Sequence, residues 1–133
     1  MIVASYYRLS ISKCDITMDD VLRHMFTGFV RLHILHHAAE EPICGVEIMA
    51  ELRRHGYHLG PGTLYPILHQ LETARYLRCE ERVIGGKRRK DFRITRRGTK
   101  LLRDARKKLR ELAGEVLERD QQRVPAGAGG RRG

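Results

Sequence analysis

A proline flanked by two glycines, Gly60-Pro61-Gly62, follows another glycine, Gly56, and runs straight into Leu64, Ile67, Leu68 and Leu71. Few local structures accept that order. Gly56 ends a helix as a C-terminal glycine does. Gly60 takes the N-cap of the next helix, and Pro61 its first position, where a fixed φ helps and the missing N–H costs nothing. Pro66 lies within the first two turns and loosens at most one early hydrogen bond. The apolar residues at 64, 67, 68 and 71 share one helical face, leaving Thr63, Tyr65, Pro66, His69 and Gln70 on the other. The preceding helix spans residues 44–55, CGVEIMAELRRH, with Val46, Met49, Ala50 and Leu52 at near-helical steps. Two helices joined by a short glycine-containing turn, the second with a polar outer face, read as a helix-turn-helix. The start of the second helix is bare of bulk and rich in N–H donors, which suits close approach to a phosphate.

The flanks extend this pattern. Asp19 and Asp20 open a first helix that runs to about Glu41 and is closed by Pro42, with Leu22, Met25, Phe26, Phe29 and Val30 at helical spacing. Residues 1–18 show no clear helical period. Downstream, Tyr76 to Val83 reads as a strand, Gly85-Gly86 as a hairpin turn, and Phe92-Arg93-Ile94 as the returning strand. Lys87, Arg88, Arg89 and Lys90 stand in a row at the expected tip. A basic-tipped hairpin directly after a helix-turn-helix is a wing, whose cations neutralise phosphates or enter the minor groove. From Thr95 a long helix extends to about Gln122. Its Leu102, Ala105, Leu109, Leu112 and Val116 are spaced three, four, three, four, a heptad seam widened by Leu101, Ala113 and Leu117. Such a seam, following a domain already closed, predicts a homodimer. The expected organisation is an N-terminal arm at 1–18, a winged helix-turn-helix domain at 19–95, a dimerisation helix at 96–122 and a disordered basic tail at 123–133. The fold class is mainly α with a small β-hairpin.

Charge narrows the function. The chain carries 26 Lys and Arg against 16 Asp and Glu, a formal net charge of +10, in 133 residues. Residues 87–110 hold 13 of those basic residues and two acids, Asp91 and Asp104. Such a concentrated field points to a polyanionic partner, here double-stranded DNA. Charge alone equally fits a nonspecific nucleic-acid binder with no effector. Cys14, Cys44 and Cys79 form no CxxC pair, which fits a reducing interior. No signal peptide or membrane-length apolar run is evident, so a cytoplasmic protein is expected. Nucleotide-binding glycine motifs and a nucleophile with a paired base are both missing, which argues against an enzyme.

The residues Pro61-Gly62-Thr63-Leu64-Tyr65-Pro66, the glycine-rich basic segment Gly85 to Lys90, and Phe92-Arg93-Ile94-Thr95 together resemble the PadR family of bacterial and archaeal transcriptional regulators. The resemblance covers about residues 29–117. It implies a winged helix-turn-helix homodimer, usually a repressor released from DNA by a small molecule, with no required cofactor. It places Thr63, Tyr65 and His69 on the DNA-facing side of the recognition helix, with Gln70 nearby, and Lys87, Arg88, Arg89 and Lys90 on the wing. Two positions depart from the family pattern. Gly60 stands where Ser is usual, removing a hydroxyl, and Cys44 stands where His is common, altering the start of the second helix.

Two effector classes follow. Small family members often keep an apolar cavity between the first and last helices. This resemblance nominates Phe26 and Phe29, with Leu109 and Leu112, for a small aromatic ligand; the same residues equally serve as plain core. The absence of Trp argues against stacking a flat drug. Separately, His33, His36 and His37 fall at i, i+3 and i+4 on one helical face. Neutral imidazoles so placed bind a transition metal, with His33 and His37 the expected ligands. Two turns of one helix seldom complete a site, so Cys44, Cys14 or a dimer partner would have to contribute. The alternative is simply the polar end of an amphipathic helix.

Overall fold

The structure is a computed structural model that describes residues 18–118; residues 1–17 of the expected arm, residues 119–122 of the expected last helix and the tail at 123–133 lie outside the described residues. The elements in chain order are α1 (Met18–Glu40), β1 (Ile43–Cys44), α2 (Gly45–Arg54), α3 (Pro61–Thr73), β2 (Leu77–Ile84), β3 (Lys87–Ile94) and α4 (Arg96–Ala113), followed by a π-helical turn, Gly114–Glu118. The chain divides into two compact units, the first ending at Leu102.

In the first unit, α1, α2 and α3 close a core with one small sheet. Ile34, Leu35, Ile48, Leu52, Leu64, Leu68 and Leu77 are fully enclosed. The face expected on α3 is the observed one, with Leu64, Ile67, Leu68 and Leu71 buried. That of α2 differs. Gly45, Ile48 and Leu52 turn inward, whereas Val46 is 65% exposed and Ala50 is exposed. The expected stripe began one residue too late to capture the 45–48–52 spacing. The stripe of α1 also divides. Val30, Ile34, Leu35 and Ala38 enter the core, while Leu22, Met25 and Phe26 remain exposed.

Both ends of the helix-turn-helix are fixed by backbone. After α2, Gly56 adopts a positive φ of 87°, and Tyr57 and Gly56 donate their N–H groups to the carbonyls of Leu52 and Arg53. This is a Schellman closure with glycine at the left-handed position. The same closure ends α3, where Tyr76 and Arg75 bond back to Leu71 and Glu72. Here the left-handed position is Arg75, at a φ of 64°, which an L-residue adopts only at some cost. Gly60 and Pro61 take the N-cap and first-turn positions of α3 as expected.

The sheet has three antiparallel strands in the order β1-β3-β2 rather than the hairpin alone. The added strand, β1, is two residues long, with Ile43 opposite Phe92 and Cys44 opposite Asp91. Two residues are too few to show a period-2 pattern, so this strand has no sequence signature. Gly85 and Gly86 connect β2 to β3 with both φ angles positive, the conformation of a type I′ turn. Consequently Lys87, Arg88, Arg89 and Lys90 do not form the tip. They lie along β3, paired in register with Ile84, Val83, Arg82 and Glu81.

Thr95 turns the chain from β3 into α4. Its hydroxyl donates to the Arg75 carbonyl at 2.6 Å and accepts the Gly98 N–H at 3.0 Å, the bond of an N-cap to the third helical residue. Leu102, expected in the dimer seam, is 5% exposed and belongs to the core of its own unit. The helix is α-helical to Ala113 and continues as five residues of π-helix to Glu118, the last described residue.

Gly98 has a steric reason to be glycine. A Cβ there would overlap the Tyr76 carbonyl oxygen and approach Ile94 Cγ1 to 2.7 Å. Backbone cannot yield as a side chain does. Gly98→Ala is therefore expected to destabilise the fold by about 1–3 kcal/mol, the usual cost of overpacking. Urea denaturation measures it, and an unchanged midpoint would show that α4 does not seat on Tyr76 this closely.

Candidate nucleic-acid interface

The outer face of α3 is built from residues that its buried face leaves over. Tyr65, Pro66, His69 and Gln70 are exposed and Thr63 is half-buried. At the amino end, Gly60 offers no side-chain cap, and a Cβ at either Gly60 or Gly62 would meet open space. The first turn therefore presents bare backbone to any approaching phosphate. Gln70 is engaged within the protein, since Arg31 of α1 donates to its side-chain oxygen at 3.0 Å.

Tyr65 is positioned by a residue outside its own helix. Its ring lies over Gly45, the first residue of α2. A Cβ at Gly45 would come within 2.7 Å of the Tyr65 hydroxyl oxygen and 2.9 Å of Cζ. The tyrosine thus keeps 44% exposure while one edge packs on the α2 backbone.

The strand that carries the wing cations is anchored by a buried acid. Asp91 is 2% exposed. Burying a carboxylate is costly unless it is paired and hydrogen-bonded. Arg89 donates from Nε to Asp91 at 2.7 Å, and Arg82 approaches its other oxygen at 3.5 Å. Arg82 and Arg89 stand opposite each other in the ladder, and Asp91 offsets that like-charge pairing. The second arm of Arg89 donates to Glu47 of α2 at 2.7 Å. Glu47 also accepts the Cys44 backbone N–H at 3.0 Å, one half of a capping box. That N–H and the Arg89 guanidinium hold the Glu47 carboxyl below the ordinary glutamate range. Both carboxylates in turn raise the Arg89 pKa further above its already high value, so this side chain stays charged.

The four wing cations therefore separate into two roles. Arg89 is a structural tie between β3 and α2. Lys87, Arg88 and Lys90 are exposed along the strand. Arg88 and Lys90 alternate with Arg89 and project from the opposite face of the ribbon.

The remaining site residues expected from sequence sit elsewhere. Phe26 is 49% exposed, with its ring edge-on to Tyr57 at 6.0 Å between centroids, and Phe29 is half-buried. Neither borders the open apolar groove of about 420 Å³ in the first unit, whose walls include Leu32, Leu35, Leu71, Tyr76 and Leu101. In the second unit Leu109, Leu112 and Val116 are exposed, and Ala105 is half-buried. His33 and His37 do approach each other, and the third imidazole beside them is His55, from the C-cap of α2.

Three helices with an exposed third face, followed by a cation-bearing antiparallel ribbon, define a winged helix-turn-helix DNA-binding protein. Residues 34–104 match the model of the transcriptional regulator PadR-like family. The chain is 48% identical over 96 residues to the transcriptional regulator Rv3488 of Mycobacterium tuberculosis, covering 72% of this chain and 90% of that protein. A PadR-like transcription factor from Bacteroides fragilis superposes with a TM-score of 0.64 at 26% identity, over 73% of this chain and 95% of that one. A PadR family regulator from Eggerthella lenta gives 0.57 at 29% identity, over 77% and 90%. The protein belongs to the PadR-like family of transcriptional regulators, whose members act by binding DNA and not as enzymes. No helix among the described residues is long and apolar enough to cross a membrane.

The division of the wing cations has a measurable consequence. Arg89→Ala leaves Asp91 buried with only the longer Arg82 contact, and is expected to lower the denaturation midpoint. The Arg88→Ala/Lys90→Ala pair should leave the denaturation midpoint unchanged but flatten the dependence of log K for DNA on log salt by roughly 1.8, at about 0.9 per phosphate contact. Equal stability of the Arg89 variant and wild type would remove the anchoring role.

Proposed function

We propose that this protein is a sequence-specific repressor that binds a pseudo-palindromic operator as a homodimer and is released by an effector. The outer face of α3, bearing Thr63, Tyr65 and His69, enters the major groove. Lys87, Arg88 and Lys90 of the wing contact the flanking phosphates. The observation that carries this reading is the pairing of a polar, glycine-opened recognition helix with a basic ribbon anchored to α2 through Arg89. Repression needs nothing beyond tight occupancy of a site that overlaps a promoter.

Dimerisation is supported separately in each unit by exposed apolar surface. Val21, Leu22, Met25 and Phe26 line up on α1, and Leu109, Leu112, Val116 and Leu117 on the C-terminal segment. Contiguous apolar patches of this kind are costly to leave in water and mark interaction surfaces. A two-fold dimer would place its recognition helices about 34 Å apart, one turn of DNA, which fixes the half-site spacing.

Fluorescence anisotropy on the protein's own upstream region against scrambled DNA, at two salt concentrations, tests the specificity. Binding to the upstream region should persist at the higher salt while the scrambled duplex is released. Equal, salt-sensitive binding to every duplex tried, including fragments recovered by genome-wide selection, would reduce the protein to a nonspecific basic binder. Leu109→Glu places a charge in the proposed seam and should convert the dimer to monomer in sedimentation; a dimer that survives this change rejects the seam.

A further inference from the structure

His33, His37 and His55 come from two different helices, yet a nitrogen of each lies within 4.8 Å of a nitrogen of the others. The His33 and His55 rings stack with centroids 4.6 Å apart, and the His33 and His37 rings are near parallel at 6.3 Å. Imidazoles gathered this way repel when protonated and gain little when neutral. His33 bears the mark of that crowding. Partial burial, then the neighbouring His55, His37 and His36, hold its pKa below the ordinary histidine value.

His37 adds an independent sign. Its Nε2 is buried and has no hydrogen-bond partner. Buried polar nitrogens are normally satisfied, and an orphan calls for an explanation. Two carboxylates stand near the ring. Glu40 lies 3.9 Å from Nδ1, and Glu51 lies 4.0 Å from Nε2 while also pairing with Arg54. A carboxylate on the far ring nitrogen is the usual means of fixing a ligating histidine's tautomer. A neighbouring carboxylate also offsets the charge of a bound dication.

We propose that His33, His37 and His55 form a binding site for a divalent transition metal of the zinc type, and that this metal is the effector of the regulator. The regulatory half rests on the operator-binding function proposed above; the site itself does not. Three imidazole nitrogens suit zinc, cobalt, nickel or copper, and leave a fourth position for water or Glu51. A tetrahedral ion with bonds of about 2.0–2.1 Å needs its nitrogens about 3.4 Å apart. Binding therefore fixes the three nitrogens, which already lie within 4.8 Å of one another, at that spacing. His55 caps the C-terminus of α2, next to Gly56 and the turn that leads into α3. His33 and His37 lie on α1. Metal binding thus ties the turn of the helix-turn-helix to α1 and restrains the start of the recognition helix. The other three-residue group, His36, His37 and Glu40, comes from one helix and already holds a His36–Glu40 contact at 3.3 Å, so it reaches no part of that turn.

The test uses the full chain with Co²⁺ as a spectroscopic probe and Zn²⁺ as competitor. Wild type should show the visible d–d bands of a low-coordinate, nitrogen-ligated Co²⁺, lost on adding Zn²⁺, and Zn²⁺ should raise the melting temperature. His33→Ala and His55→Ala should each weaken Co²⁺ binding by about tenfold or more and abolish the thermal shift. His36→Ala should retain both. His55→Gln, which keeps a polar cap but supplies no imidazole, guards against reading a folding defect as lost binding. Absence of Co²⁺ bands in wild type, or bands that survive in the His33 and His55 variants, would overturn the site. Anisotropy on operator DNA then reads the coupling. Zn²⁺ should weaken operator binding by wild type and leave the His55→Gln variant unchanged. Metal binding with unaltered operator affinity would overturn the effector role alone. Because the Co²⁺ titration contains no DNA, failure of operator binding and failure of the metal site are seen separately.

Discussion

A single buried carboxylate organises the DNA-binding unit. Asp91 sits within the sheet at 2% exposure, and its charge obliges cations to converge on it. Arg89 and Arg82 do so, and Arg89 reaches on to Glu47 at the start of α2. One acid thereby joins the wing's two long strands and ties them to the first helix of the helix-turn-helix. The short strand β1 depends on the same place, since Cys44 pairs with Asp91 in the ladder. Without this anchor the ribbon would be a charged hairpin extending from the core, and two-stranded ribbons have little stability of their own.

The helical part of this architecture was legible in the sequence because its signals are local. Gly56 and the Gly60-Pro61-Gly62 run mark two helix ends by backbone conformation alone, and the 64–67–68–71 spacing gives the buried face directly. The wing was legible as an element but not in its detail. Four consecutive cations next to two glycines suggest a basic turn, whereas the glycines alone make the turn and the cations enter β3. Asp91 was the available signal, an acid closing a run of four bases. Its meaning depends on Glu47 and Arg82, which are brought to it only by the fold. β1 was invisible for the related reason that two residues carry no period.

The candidate sites show the same limit. Three imidazoles on α1 can be read from i, i+3 and i+4 spacing, but His55 lies some twenty residues away and joins them only through the packing of α2 on α1. Cys44, the helper suggested by proximity in sequence, instead caps α2 and pairs with β3. Gln70, read as part of a DNA-facing surface, is exposed there and its side-chain oxygen also accepts a hydrogen bond from Arg31. Helical spacing assigns a residue to a face, and partners supplied by other elements then decide which members of that face are free to act.

The contact between Gly45 and Tyr65 bears on how such a regulator can change its target. Thr63 and His69 lie on the outer face of α3, and among the described glycines none is packed against either side chain, so their replacement meets no such steric partner. Tyr65 is different, because its ring fills the space a side chain at Gly45 would need. Shrinking the tyrosine opens a hollow against α2, and enlarging the glycine evicts the ring. The two positions are thus sterically coupled, one on α3 and one on α2. On the operator-binding reading proposed above, divergence of target preference has an easy route through residues 63 and 69, and a harder, paired one through 45 and 65.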